Sequence, residues 1–309
     1  MRVDFVKSVS EIIAEDENSI FVTGDLGYAA LETLAANHPR RFLNAGVAEQ
    51  NMMGVAAGMA LTGLRPWVYS IAPFTTYRCL EQIRNDVCLH KLPVRIAGNG
   101  GGYTYGIMGS THHALEDLAV LRPLPNIQLF FPCANDHVAA AVRAMSTLSG
   151  PAYIRLAISA FSTQWSHLDE NPLTLTRRYS RQASPSVTVI GVGHGVQIAL
   201  RALATTGLAH ENVDVFGVAR FPLDLKSDAA LCESVAASRR VLVVDEHYLS
   251  GSVGEALRLA LPRARHFEVM AASYSPEQRY GNPEFHLRQC GLTPEALSAL
   301  VGDLQTRPA

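Results

Sequence analysis

Asn44-Ala-Gly-Val-Ala-Glu-Gln-Asn-Met-Met-Gly-Val-Ala-Ala-Gly-Met-Ala60 joins a short apolar run, Phe42–Asn44, to a stretch of Ala, Met and Gly without Pro. A strand that turns directly into such a helix-forming stretch is the βα unit of an α/β fold. Glu49 then lies near the helix start, at the carboxyl edge of the sheet, where open α/β sheets bind ligands. A glutamate in a first helical turn also complements the helix dipole, worth about 0.3–1 kcal/mol, so position alone leaves both roles open. Gly54 and Gly58, at i and i+4, let a second backbone come close, as in plain helix packing.

Outward from this unit, short runs rich in Val, Ile and Phe alternate with Ala-rich helical patterns, as parallel strands joined by crossover helices do. The first half predicts strands at Ile20–Thr23, Phe42–Asn44, Trp67–Tyr69, Val94–Ala97, Gln128–Phe131 and Ala152–Arg155. Between about Ala157 and Pro185 the pattern fades into Ser, Thr, Gln, Asn and Arg, a composition expected of a surface linker. The second half restarts with strands at Val187–Gly191, Asn212–Val218 and Arg240–Asp245, and helices at Val196–Thr206, Ser227–Ala237 and Val253–Leu261. The expected organisation is two open, mostly parallel-sheet α/β domains, residues 1–160 and 186–309, joined by a linker over 161–185.

The 309 residues are 48% hydrophobic and 17% charged, enough chain for two cores. A net charge of −2 with no run of Lys or Arg offers no grip on a phosphate backbone, so nucleic acid is not an expected partner. Cys79, Cys88, Cys133, Cys232 and Cys290 form no Cys-x-x-Cys pair, which suggests neither a disulfide framework nor a zinc site. Charged Arg2, Asp4 and Lys7 stand where a signal peptide needs an apolar core, and no apolar run approaches the roughly 20 residues that span a bilayer. A soluble, cytoplasmic protein is expected.

Two further stretches stand out. In Ala72-Pro-Phe-Thr-Thr-Tyr-Arg-Cys-Leu80, Phe74, Tyr77 and Leu80 recur every three residues and can share one helix face, as core packing would have them do. Gly98-Asn-Gly-Gly-Gly-Tyr-Thr-Tyr-Gly-Ile-Met-Gly-Ser-Thr-His-His113 holds six glycines in sixteen residues, which calls for unusual backbone angles or close approach. Without Gly-Lys-Ser/Thr it is no nucleotide P-loop. Gly191-Val-Gly-His-Gly195 invites a dinucleotide reading, but Val196 stands where the third glycine belongs.

Residues 46 to 60 resemble the pyrimidine-binding domain of transketolases and 1-deoxyxylulose-5-phosphate synthases, with Glu49 at the family's catalytic glutamate. Gly109-Ser-Thr-His-His-Ala114 is similar to the family's Gly-x-Thr-His-Gln segment and puts His112 at its active-site histidine, near the start of a helix expected around Ala114. Phe221-Pro-Leu-Asp224 and Val244-Asp-Glu-His247 resemble the transketolase carboxyl-terminal domain. The resemblance implies thiamine diphosphate as cofactor, with Glu49, Phe74 and Tyr77 at its aminopyrimidine and Asp25 and Leu26 approaching it. It implies His112 as a proton donor or acceptor, and a carbohydrate substrate near His112, His113, Tyr103 and Arg155. Nothing resembles the Gly-Asp-Gly and Asn that hold Mg²⁺ and the diphosphate; Leu26, not Gly, follows Asp25. The resemblance therefore implies no metal ligands here and an amino-terminal subunit that supplies them, with this chain self-associating in an α₂β₂ enzyme.

Three departures bear on substrate: Met108 where transketolases keep an Asp, Gly100 where they have a His, and Ile158 where an Arg holds the sugar phosphate. Either the acceptor carries no phosphate or another residue holds it, with Arg155, Arg78 and Arg84 as candidates. The first expectation is a split transketolase passing a two-carbon ketol unit from a ketose to an aldehyde. The alternatives are a deoxyxylulose-phosphate-synthase-like or 2-oxo acid dehydrogenase β-type subunit, and a non-catalytic scaffold.

Overall fold

The computed structural model describes residues 1–26, 30–157, 165–208, 212–274, 277 and 279–308. The chain opens with α1 (Arg2–Glu15), β1 (Ser19–Thr23), α2 (Glu32–Asn37), β2 (Phe42–Asn44), α3 (Glu49–Leu61), β3 (Arg65–Ile71), α4 (Ala72–Thr76) and α5 (Leu80–Gln82). There follow β4 (Arg95–Asn99), α6 (Asp117–Leu121), β5 (Gln128–Phe130), α7 (Val138–Ser146) and β6 (Ala152–Leu156). The second half runs β7 (Asp169–Asn171), β8 (Thr176–Ser180), β9 (Val187–Val192), α8 (Val196–Thr205), β10 (Val213–Val218), β11 (Arg220–Phe221) and α9 (Ala229–Ser238). It ends with β12 (Arg240–Tyr248), α10 (Val253–Ala260), β13 (His266–Ala272), α11 (Pro283–Gln289) and α12 (Pro294–Thr306).

Two mostly parallel sheets result, in the order β11-β5-β6-β4-β3-β1-β2 and β13-β12-β9-β10-β8-β7. β9 is buried throughout, which is why it reads as a nearly continuous apolar run rather than an alternating one. α1 buries Phe5, Val9, Ile12 and Ile13 at helical spacing, and Phe5 meets Trp67 and Tyr69 of β3 ring to ring. Each such fully buried side chain contributes roughly 1.5–3 kcal/mol. Apolar clusters run on through both halves: one joins Phe5 and Val138 to Val187 and Leu297, the other Met52 and Ile96 to Phe216 and Val243.

Two sequence expectations fail, and one strand went unforeseen. The supposed surface linker contributes β7 and β8, which pair antiparallel with each other and with β10. Its Arg177 is buried with its charge met by Glu170 and Asp136, so a polar composition still enters the sheet. β11, too short to read from sequence, returns from the second half to pair antiparallel with β5 of the first sheet. The helix expected around Ala114 starts at Asp117, because Ala114 is held in a backbone bridge with Gly102.

Candidate active site

The carboxyl ends of β4, β3, β1 and β2, adjacent in that order in the first sheet, converge on one edge. Asn44 closes β2 and organises that edge. Its Oδ1 accepts from the N–H groups of Asp25 (3.1 Å) and Gly46 (3.0 Å), while its Nδ2 donates to Asp25 Oδ1 at 2.8 Å. Asp25 takes a left-handed conformation, φ 56°, that aspartate tolerates in turns. The carbonyl of Leu26 accepts from the Thr23 hydroxyl at 3.0 Å. Gly24, just before them, lies against the side chain of Glu49.

Glu49 is the first residue of α3 and is 3% exposed. Its Oε2 accepts from Arg78 Nη1 at 2.7 Å. The same guanidinium sits 4.2 Å from the centre of the Phe74 ring, on α4 beyond β3, a cation–π contact. Phe74 in turn meets the edge of the His112 ring, centroids 5.2 Å apart at 65°. Glu49, Arg78, Phe74 and His112 thus form one connected row. His112 Nδ1 lies 2.9 Å from the Thr111 hydroxyl, which leaves Nε2 as the outward nitrogen. Tyr77 turns to Glu116, donating its hydroxyl to Oε2 at 2.9 Å and accepting the Glu116 N–H at 3.1 Å. Burial, then the neighbouring Asp117 and Glu116 carboxylates, hold its phenol well above the ordinary range.

The sequence of the first half, residues 2–161, matches the transketolase pyrimidine-binding domain, and residues 178–297 match the transketolase C-terminal domain. The chain belongs to the transketolase family. It is 29% identical over 257 residues to one subunit of an apulose-4-phosphate transketolase of Phocaeicola vulgatus, covering 82% of this chain and 80% of that one. It is 30% identical to a 1-deoxy-D-xylulose-5-phosphate synthase of Pelotomaculum thermopropionicum, covering 96% of this chain but 47% of that longer protein. Among solved structures it resembles a split gene transketolase described as an inactive beta4 tetramer, with TM-score 0.81, 30% identity and 99% and 98% of the two chains covered.

Against the transketolase pattern, some expected substrate residues are turned elsewhere. Arg155 is buried, with Nε 3.3 Å from Asp117 Oδ2 and Nη2 donating to the carbonyls of Ala114 (2.5 Å) and Glu246 (2.8 Å), so its guanidinium is taken up inside the protein. Tyr103 faces the second half, its ring stacked on His286 at 5.0 Å and its hydroxyl 3.0 Å from Cys290 Sγ. His113 lies beside the same pair, 4.8 Å from the His286 ring, and burial and then the His286 charge push its imidazole below the usual value. Arg84, exposed, donates to Asn85 at 2.6 Å, which leaves Arg78 as the one of the three arginine candidates that touches the row. Met108 is exposed on the loop, and Ile158 lies outside the described residues.

Sequence reading missed Tyr105. Its ring fills the space over Gly100, where a Cβ would come within 2.2 Å of it, and its hydroxyl accepts from Asn99 Nδ2 at 2.5 Å. The Tyr105 ring lies 6.3 Å from His112. The glycine at 100 therefore makes room for an aromatic group from five residues further on. Glu246, from the carboxyl end of β12, was also missed. Burial opposes its ionisation, yet His194, Arg155 and the Tyr103 N–H hold its carboxyl below the ordinary glutamate value.

Proposed function

We propose that this chain is the carboxyl-terminal subunit of a split, thiamine-diphosphate-dependent transketolase. It would move a two-carbon ketol unit from a ketose donor to an aldehyde acceptor, and turn over only with an amino-terminal subunit carrying the diphosphate and Mg²⁺ ligands. The observation that carries this reading is the row of Glu49, Phe74 and His112 along the carboxyl edge of the first sheet.

These residues fit the aminopyrimidine end of the cofactor: a buried carboxyl for a ring nitrogen, with the flat face of Phe74 two contacts away through a planar guanidinium. When bound, thiamine diphosphate supplies a nucleophilic thiazolium carbon and the electron sink for carbon–carbon cleavage. Glu49, buried at the start of α3, would present its carboxyl to a ring nitrogen of the aminopyrimidine. Arg78, which holds Oε2 at 2.7 Å, would have to give way for that contact to form. Once Arg78 moves off its face, Phe74 would orient the ring by offset stacking, worth about 0.5–1.5 kcal/mol beyond burial. His112 gives or takes a proton at Nε2, the nitrogen not engaged by Thr111.

The need for a second polypeptide is supported by the relative named as one subunit of a transketolase and by the inactive state of the beta4 tetramer. The outer face of α3 supports it too: among the described residues nothing outside the local helix comes within 4 Å of a Cβ placed at Gly54 or Gly58, and Val47 and Leu61 are exposed. An α₂β₂ assembly fits such a face. A synthase-like second reading draws on the likeness to deoxyxylulose-phosphate synthase over 96% of this chain, and stoichiometric release of CO₂ from a 2-oxo acid would favour it.

Glu49→Gln tests the site. In the assembled enzyme it is expected to lower ketol transfer by about 10²–10⁴-fold with unchanged melting. Full turnover by this variant would remove Glu49 from the chemistry.

A further inference from the structure

The Gly98–His113 loop is gripped from the second half of the chain as well as the first. We infer that Glu246 is a positioning residue: its buried carboxylate closes the neck of this loop and thereby aims His112 at Phe74. The inference rests on the role proposed above for His112.

The neck is a pair of backbone bonds, Gly102 N–H to Ala114 O and Ala114 N–H to Gly102 O, both 3.0 Å. Glu246 locks it from one side. Its Oε1 accepts the Tyr103 N–H at 2.8 Å, and its carboxyl carbon lies 2.4 Å from where a Cβ on Gly102 would stand. Gly102 therefore has to be glycine, both for that approach and for its φ of 64°. Arg155 locks the neck from the other side, its Nη2 joining the Ala114 carbonyl to the carbonyl of Glu246 itself. His194 backs the carboxylate, Nδ1 3.7 Å from Oε2. Beyond the neck, His286 Nε2 reaches the Gly106 carbonyl at 3.2 Å while stacking on Tyr103. Tyr105 and His112 lie between these anchor points, so the second half sets where they stand. A displacement of about 1 Å in such a group costs on the order of 100-fold in rate.

The test compares Glu246→Ala with Glu246→Gln, which keeps an oxygen for the Tyr103 N–H. In the full complex with the amino-terminal subunit, Glu246→Ala is expected to lower kcat by about 100-fold with KM and the calorimetric Kd for thiamine diphosphate held within about 3-fold. Glu246→Gln should recover most of that loss. On this chain alone, the His112 imidazole signal in a ¹⁵N-histidine spectrum, assigned with His112→Gln, should move in Glu246→Ala and stay near its place in Glu246→Gln. If Glu246→Ala does not fold, Glu246→Asp, one methylene shorter, takes its place with the same expectations. An unmoved His112 signal with normal kcat overturns the inference. So does a parallel loss of cofactor binding and turnover, which would make Glu246 a general structural residue. A wild-type complex that binds no thiamine diphosphate defeats the functional reading, while the spectrum still decides the loop.

Discussion

His112 and His113 are neighbours with opposite fates: one ring meets Phe74, the other joins His286 and Tyr103. Their motif reads the same for both, and only the backbone turn at Ser110–His112 separates them. Glu49, by contrast, was legible, since a βα junction puts its first helical residue at the sheet edge whatever else the chain does. Arg155 was not, because a lone arginine at a strand end carries no sign of the buried Asp117 that claims it. The same blindness covers His137, which is fully buried beside Arg177. Burial, and then the charge of Arg177 and His167, push its imidazole from 6.5 down to about 3. Between these values the unfolded chain binds a proton that the folded chain refuses, so stability falls as pH drops through the window. The loss is about 1.4 kcal/mol for each pH unit. Urea unfolding at a series of pH values should therefore show a shallower slope between pH 6 and 4 for His137→Gln than for the parent; equal slopes would mean that His137 is protonated in the native state.

At the scale of elements, strands such as β9 and β12 were readable because burial on both faces leaves nearly unbroken Val, Ile and Leu. β7, β8 and β11 were not, because polar Arg177 and Arg220 enter the sheets, Arg177 paired with Asp136 and Glu170 and Arg220 donating to Gln128 of the first half. α3 shows the reverse case, where sequence signals a close contact that the described residues do not make. Its Gly54 and Gly58 carry nothing within 4 Å of a Cβ. Gly58→Leu should accordingly leave the isolated chain as stable as the parent, or more stable by up to about 1 kcal/mol from helix propensity. The same substitution should abolish assembly with the amino-terminal subunit in sedimentation velocity. A variant that melts early, or one that assembles normally, would show that the outer face of α3 is not an interface.

For the molecule as a whole, the two sheets share apolar layers, and the second half reaches back through β11, Glu246 and His286 to hold parts of the first. On the proposed reading, the fold presents at its edge half of a cofactor site: the Glu49 carboxyl and the Phe74 ring for a pyrimidine, beside His112. The sequence departures at Gly100 and Met108 take on a physical form at this scale, as Tyr105 fills one vacated volume and an exposed thioether marks the other. The central claim is that the other half of the site comes from a second polypeptide. Calorimetric titration of thiamine diphosphate with Mg²⁺, into this chain alone and into its equimolar mixture with the amino-terminal subunit, tests it most directly. Binding in the mixture with none to the single chain is the result the account predicts; tight binding by this chain alone, or none in either sample, would contradict it.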